Sequence, residues 1–211
     1  MNCALCRTAE CQPAGIVGQR HLFSCPSCGL VSIPSGYHLS VENERARYDL
    51  HDNSADNDGY VRFLSQVAEV VEKNAGSGVR VLDFGCGRNA VLTGILEARG
   101  IQCDAYDPLY DHPLPVPFPA ATYGAVILCE VIEHCRDLQA VFGLAGTLCT
   151  RDASIVVRTR CYPEEVDWSR WWYAQDTTHI NFFSTASLAC AAGILKRKLY
   201  KTEYSDVFVF R

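Results

Sequence analysis

No stretch of this 211-residue chain is apolar for long enough to cross a membrane. The longest apolar runs, such as Ala125–Cys129, fall far short of the roughly twenty residues a spanning helix needs. Met1–Glu10 lacks the basic-then-apolar pattern of a secretory signal, so the expected location is cytoplasmic. Internal repeats and low-complexity tracts are also missing. Positive charge is in short supply: 19 Lys and Arg stand against 24 Asp and Glu, a net charge of −5. That excludes a protein whose whole surface wraps nucleic acid, though not a local basic patch. The acidic excess falls in residues 51–150, with thirteen acidic and six basic side chains. What is present is a core-forming composition, 48% hydrophobic and 20% charged. The length suits one α/β domain with a small appendage.

Cysteine, by contrast, is abundant, with twelve residues. Four of them form two C-x2-C pairs, Cys3/Cys6 and Cys25/Cys28. Two such pairs on tight turns bring four thiolates onto one tetrahedral ion, and zinc with four sulfurs is the expected occupant. Pro26 and Ser27 lie inside the second pair and Gly29 follows it. Gly15–Phe23 alternates loosely and reads as a short strand. This is the layout of a zinc ribbon. A pair of disulfides would need an oxidising compartment that nothing else in the sequence suggests. Cys11 and His21 are alternative ligands with poorer spacing. A four-cysteine site has no open position, so its role is structural or recognitional. The other cysteines lie mostly in apolar stretches, as small buried hydrophobes do.

Three regions are expected along the chain: a zinc ribbon over 1–34, a linker or lid over 35–59, and an α/β domain over 60–211. A helix is predicted over Asp56–Ala75, where Tyr60, Phe63, Leu64, Val67, Val70 and Val71 repeat with a 3.6 period. Strands are predicted at Val79–Phe84, Ile101–Tyr106, Tyr123–Cys129, Ser154–Thr159, Leu195–Tyr204 and Asp206–Phe210. Further helices are expected at Val41–Tyr48, Asn89–Arg99, Leu138–Cys149 and Ser184–Ala192, the last capped by Ser184. Alternation of strand and helix predicts a doubly wound, mostly parallel α/β sheet. Asp111–Pro119 holds four prolines, leaving no room for an inner strand there.

Chemistry is concentrated on the first strand–turn–helix. Val81-Leu82-Asp83-Phe84-Gly85-Cys86-Gly87 ends a strand and opens a helix, and glycines there let the backbone approach a ligand. Asp107 ends the next strand, 20 residues beyond Gly87, where an acid can accept both hydroxyls of a ribose. Gly85, Gly87 and Ala90 also satisfy the dinucleotide pattern G-x-G-x-x-[GA], which keeps a nucleotide-dependent oxidoreductase in view. Against it, Asp83 would crowd a pyrophosphate but suits the ammonium of an amino-acid-like cofactor. S-adenosylmethionine carries that ammonium, a ribose and a cationic sulfur.

Asp83-Phe-Gly-Cys-Gly, Tyr106-Asp107-Pro108 and Cys129-Glu130-Val131-Ile132-Glu133-His134 resemble the class I methyltransferases that use S-adenosylmethionine, within a subgroup reading EVxEH. Some of these carry an N-terminal ribbon reading CPxCG, similar to Cys25-Pro26-Ser27-Cys28-Gly29. The resemblance covers Val79–Thr159 well and the C-terminal third loosely. It implies a Rossmann-like, seven-stranded sheet with an antiparallel last strand. The implied cofactor contacts lie at Asp83, Gly85, Cys86 and Gly87, at Asp107 and Pro108, and at Cys129, Glu130 and Val131. Three departures stand out. Asn89 replaces a third glycine. The short, proline-rich stretch after Asp107 predicts a shortened or missing third strand, leaving adenine to groups near Pro117–Ala120. Tyr123-Gly124 replaces a common Phe-Asp.

Acceptor-side candidates come from three segments. Tyr48, His51, Asn53 and Tyr60 sit in the lid segment and the start of the following helix. Glu133 and His134 follow a strand, where doubly wound folds place their ligands. Trp168, Trp171, Trp172, Tyr173, Asp176 and His179 form an aromatic-rich insertion that can wall a pocket. His179, His134 and His51 are the catalytic candidates, and Tyr48, Asn53, Tyr60, Trp172, Tyr173 and Asp176 the substrate-binding ones. The expected function is methyl transfer from S-adenosylmethionine to an unidentified small molecule, protein or RNA, with a structural zinc ribbon aiding recognition. The alternative is a non-catalytic binding module that keeps the cofactor fold. Nucleic acid is disfavoured as a partner, since only Arg7, Arg20 and His21 are basic in residues 1–34.

Overall fold

Valine and isoleucine are concentrated in Tyr123–Cys129 and Cys149–Arg158, and β-branched residues favour the pleated conformation. The computed structural model describes residues 1–50 and 53–211. In it the chain divides into two compact units. The first gathers residues 1–49, 132–142 and 159–198, and the second residues 50–131, 143–158 and 199–211. This partition does not follow the linear division at residues 34 and 59.

The second unit is built on a six-stranded sheet. Its strands are β4 (Val81–Phe84), β5 (Cys103–Tyr106), β6 (Tyr123–Cys129), β7 (Cys149–Arg158), β9 (Leu199–Lys201) and β10 (Val207–Phe210), in the order β5-β4-β6-β7-β10-β9. The pairs β4–β5, β4–β6 and β6–β7 are parallel, while β10 runs antiparallel to both its neighbours. Six strands replace the seven implied by the resemblance. The missing one would follow β5, where the proline-rich 111–119 stretch cannot supply ladder donors. Helix α2 (Asp58–Asn74) begins where Asn57 accepts the amide of Tyr60 at 3.1 Å. Its buried stripe Leu64, Val67, Ala68, Val70 and Val71 joins Val81, Leu92, Leu96 of α3 (Val91–Ala98), Ile127, Val156 and Val209 in an almost wholly aliphatic core. Arg158 is buried in this unit. It bonds Asp206 Oδ2 at 2.9 Å and Gln66 Oε1 at 3.0 Å, and its guanidinium lies 3.3 Å from the centre of the Phe63 ring.

The first unit carries a four-stranded antiparallel sheet, β1 (Gln12–Val17), β2 (Arg20–Ser24), β3 (Val31–Ser32) and β8 (Asn181–Phe182), in that order. The single strand expected over Gly15–Phe23 is a hairpin instead. Gly18, with φ +58°, turns the chain between Val17 and Arg20. Its core is aromatic: Trp168, Tyr173 and Phe182 pack with Val17, Leu22 and Ile180. Helices α1 (Val41–Tyr48), α5 (Trp172–Gln175) and α6 (Thr185–Ile194) belong here, and Ser184 caps α6 by accepting the amide of Ser187 at 3.2 Å. Helix α4 (Leu138–Leu148) begins in the 132–142 segment of this unit, and its residues from 143 onward are assigned to the other. The strand expected over Leu195–Tyr204 shrinks to Leu199–Lys201, because α6 extends to Ile194 and Lys196 turns at φ +55°. Lys196, Arg197 and Lys198 therefore precede the strand instead of lying within it. Among the described residues, no helix is long and apolar enough to cross a membrane.

Candidate functional site

In the second unit, β4 delivers Asp83 to the sheet's carboxyl end and Gly85 starts the turn into α3. Asp83 is buried and its Oδ2 accepts the hydroxyl of Thr93 at 3.0 Å. Burial pushes its carboxyl up to about 7, partly opposed by the Thr93 hydrogen bond. Gly85 has φ +83°, and a Cβ there would stand 2.5 Å from Cγ2 of Val131, so no side chain fits. Gly87 also has positive φ, but a Cβ would meet nothing within 4 Å. The turn is thus closed against protein at Gly85 and open at Gly87.

Asp107 is buried at the end of β5. Its Oδ2 accepts the amide of Gly87 at 2.9 Å and its Oδ1 that of Leu109 at 2.8 Å. Each oxygen keeps a further lone pair for a hydroxyl donor. Pro108 follows directly. Beyond β6, Glu130 adopts φ +53°, and its amide donates to the carbonyl of Arg158 at 2.9 Å. A non-glycine residue held there is strained, and such strain collects at ligand sites. The hydroxyl of Tyr60 is pushed up first by burial, then by Cys129, Asp83, Glu130 and Cys86. Burial likewise raises the Cys86 thiol. Tyr60 therefore belongs electrostatically with the residues expected to hold the cofactor. The Asn53 carbonyl accepts the Asn89 side chain at 2.8 Å, so Asn89 is tied to the segment before α2. Phe118 is exposed in the 111–119 stretch.

The Tyr123-Gly124 departure has a packing cause. A Cβ at residue 124 would lie 2.6 Å from Val79, and the Tyr123 hydroxyl donates to Asp104 Oδ2 at 2.6 Å.

In the first unit, the structure gathers several separate candidates. Tyr48 meets His134 edge-on at 5.2 Å, His134 meets His179 at 4.6 Å, and Tyr173 lies 4.1 Å from His179 between ring centroids. Glu133 is buried beside them and accepts the Tyr173 hydroxyl; burial pushes its carboxyl up to about 7. Asp176 accepts the amide of Thr178 at 2.9 Å and pairs with Arg47 at 3.6 Å, which makes it a turn anchor. Trp172 is 63% exposed, with the Arg160 guanidinium 5.2 Å from its ring centre. His51 lies outside the described residues.

Cys3, Cys6, Cys25 and Cys28 also meet in this unit, their sulfurs all within 4.8 Å of one another. Cys3–Cys28 and Cys6–Cys25 are each 3.6 Å apart, close to the ~3.8 Å edge of a tetrahedron with 2.3 Å zinc–sulfur bonds. The Leu5 amide donates to Cys3 and the Thr8 hydroxyl to Cys6, which orients two sulfurs. Both turns use a left-handed residue right after the second cysteine, Arg7 at φ +58° and Gly29 at φ +73°. The donor set fits a zinc ion.

Sequence reasoning missed Thr93 as the partner of Asp83 and Tyr173 as the partner of Glu133. The first lies ten residues away on the helix after the turn, within reach of a helix-phase argument. The second is 40 residues away and carried no local signal.

A family model described as a methyltransferase domain matches residues 52–192. No curated protein sequence matches the chain. Among solved structures, an O-methyltransferase family protein from Burkholderia thailandensis is 14% identical with a TM-score of 0.57. It aligns over 79% of this chain, which spans 61% of that protein's length. The 1,6-didemethyltoxoflavin-N1-methyltransferase of the same organism, solved with S-adenosylhomocysteine, is 13% identical with a TM-score of 0.58, covering 94% of this chain and 97% of its own. An S-adenosylmethionine-dependent methyltransferase from Leishmania major is 11% identical with a TM-score of 0.56 and covers 81% of each chain. These structures establish the fold.

Proposed function

The chain belongs to the methyltransferase-domain family, and from that premise we propose that it transfers the methyl group of S-adenosylmethionine to an acceptor not yet identified. The observation that carries this reading is the turn closed at Gly85 and open at Gly87, with Asp83 behind it and Asp107 beside it. When bound, the donor supplies a methyl group on a cationic sulfur, and its charge disperses as an acceptor attacks in line. Asp83 holds the ammonium, directly or through water, and Asp107 takes the ribose hydroxyls on its remaining lone pairs. Gly85, Cys86, Gly87 and Pro108 shape the backbone path, and Cys129, Glu130 and Val131 form the floor. Tyr60 screens the crevice from water. Acceptor contacts in the first unit are assigned to Tyr48, His134, Trp172, Tyr173 and His179, with Asp176 holding the turn that precedes His179; Asn53 and, from its sequence position, His51 are kept as lid-segment candidates. Cys3, Cys6, Cys25 and Cys28 hold one structural zinc ion, whose ribbon serves acceptor recognition.

Melting temperature with S-adenosylhomocysteine, NADH and NADPH tests the donor. A ligand at a hundred times its Kd adds about 2.7 kcal/mol. The expected result is a rise with S-adenosylhomocysteine alone, lost in Asp107→Ala. A rise with a nicotinamide alone contradicts the proposal. A non-catalytic binding module would be favoured by the Tyr123-Gly124 departure, but packing against Val79 and the bond to Asp104 give that pair a structural reason of its own.

A further inference from the structure

We propose that Glu133, His134 and His179 form a second metal site, for a divalent first-row transition ion, separate from the four cysteines. One ligand atom from each of the three residues lies within 4.8 Å of the other two. The orientation of the histidines is what makes this more than proximity. Nδ1 of His134 is 3.2 Å from the carbonyl oxygen of Thr178, and Nδ1 of His179 is 2.7 Å from that of Tyr173. A carbonyl oxygen only accepts, so both rings carry their proton on Nδ1 and present a lone pair on Nε2. Metal-ligating histidines are held in this way, with the other ring N–H on a backbone carbonyl fixing tautomer and angle.

Glu133 supplies the second observation. Its Oε1 accepts the Tyr173 hydroxyl, while its buried Oε2 has no hydrogen-bond partner among the described residues. A carboxylate oxygen left unsatisfied in the interior is costly unless a cation meets it. The loop bearing both ligands is braced in advance. Asn181 donates to the carbonyls of Ile132 and Cys135, and the Ile180 amide donates to the carbonyl of Glu133. Two imidazoles and one carboxylate suit zinc, manganese or iron(II) better than calcium or magnesium, which prefer all-oxygen shells. Three protein donors leave a coordination position for water or another oxygen ligand. His134 also lines a small groove with His38, Glu44, Arg136 and Thr178, which gives an ion an approach from solvent.

This inference does not depend on the methyl donor, and metal counting decides it whether or not S-adenosylhomocysteine binds. Purified full-length protein dialysed against zinc should hold about two ions per chain. His134→Ala and His179→Ala should hold about one, and Cys25→Ser with Cys28→Ser should lose the other. Glu133→Gln keeps the side chain's shape and should weaken the second ion at least ten-fold. Tyr173→Phe, which spares all three donors, should retain it. One ion per chain in the wild type overturns the proposal, as does a second ion that persists in both histidine variants.

Discussion

Each compact unit buries one carboxylate that is pushed up to about 7 and bonded to a hydroxyl, Asp83 to Thr93 and Glu133 to Tyr173. Their surroundings differ. Asp83 sits in an aliphatic unit, where a six-stranded sheet packs with the buried stripe of α2. Glu133 sits in a unit with short strands, an aromatic core and four clustered thiols. The first arrangement costs stability to keep an acid beside an open glycine turn. The second carries the donor clusters at which we propose bound cations, a common supplement to small cores. The two halves therefore respond to different insults.

Removing metal is the most severe way to separate them. All three tryptophans, Trp168, Trp171 and Trp172, lie in the first unit. Binding energies for four-ligand structural zinc run to about 10–16 kcal/mol in small domains. Chelation, or Cys25→Ser with Cys28→Ser, should therefore expose Trp168 and Trp171, seen as a red shift in emission. The far-ultraviolet signal of α2 and the parallel sheet should persist. Unchanged tryptophan emission after metal loss would erase the distinction between the units.

The next largest effect belongs to the other half. Arg158→Ala strands Asp206 in the interior, and breaking a buried pair of this kind costs about 3–5 kcal/mol. Urea titration followed by circular dichroism should show that loss while zinc content stays constant.

A smaller effect is tied to pH. The Asp83 carboxyl is higher in the folded state than the ordinary carboxylate value, so the native state binds the extra proton. Stability is then present below about pH 4 and declines as pH rises towards 7. Asp83→Asn should match the wild type near pH 4 and exceed it at pH 8 by about 2 kcal/mol, roughly half the ceiling for a shift of this size. The same variant should lose S-adenosylhomocysteine binding. If wild type and variant stay parallel from pH 4 to 8, Asp83 is not the strained acid described above.

Ser184→Ala is the mildest test. It removes the cap of α6 and should cost about 1 kcal/mol, felt only in the first unit's transition.

The sequence made the second unit easier to read than the first, for a physical reason. Val81–Phe84, Tyr123–Cys129 and the period of α2 are local signals, and the Gly85–Gly87 turn adjoins the strand that feeds it. The four-cysteine cluster was equally legible, because each C-x2-C spacing puts two thiols on one tight turn. Contacts that join distant segments left no such trace: β3 with β8, Tyr173 with Glu133, and the pairing of His134 with His179. The hairpin at Gly18 was hidden by alternation that runs through both strands. The missing strand after β5 was readable because proline excludes ladder pairing whatever the tertiary context.

The pairing of Val31–Ser32 with Asn181–Phe182 has a consequence for biosynthesis. The two C-x2-C turns leave the ribosome well before the last strand of their sheet, which arrives about 150 residues later. Closing a loop of that length is slow compared with local hairpin formation. For most of translation the nascent segment thus presents half-assembled thiols to whatever oxidant or ion it encounters. Metal supply during synthesis, more than after it, should govern how much of the chain matures correctly.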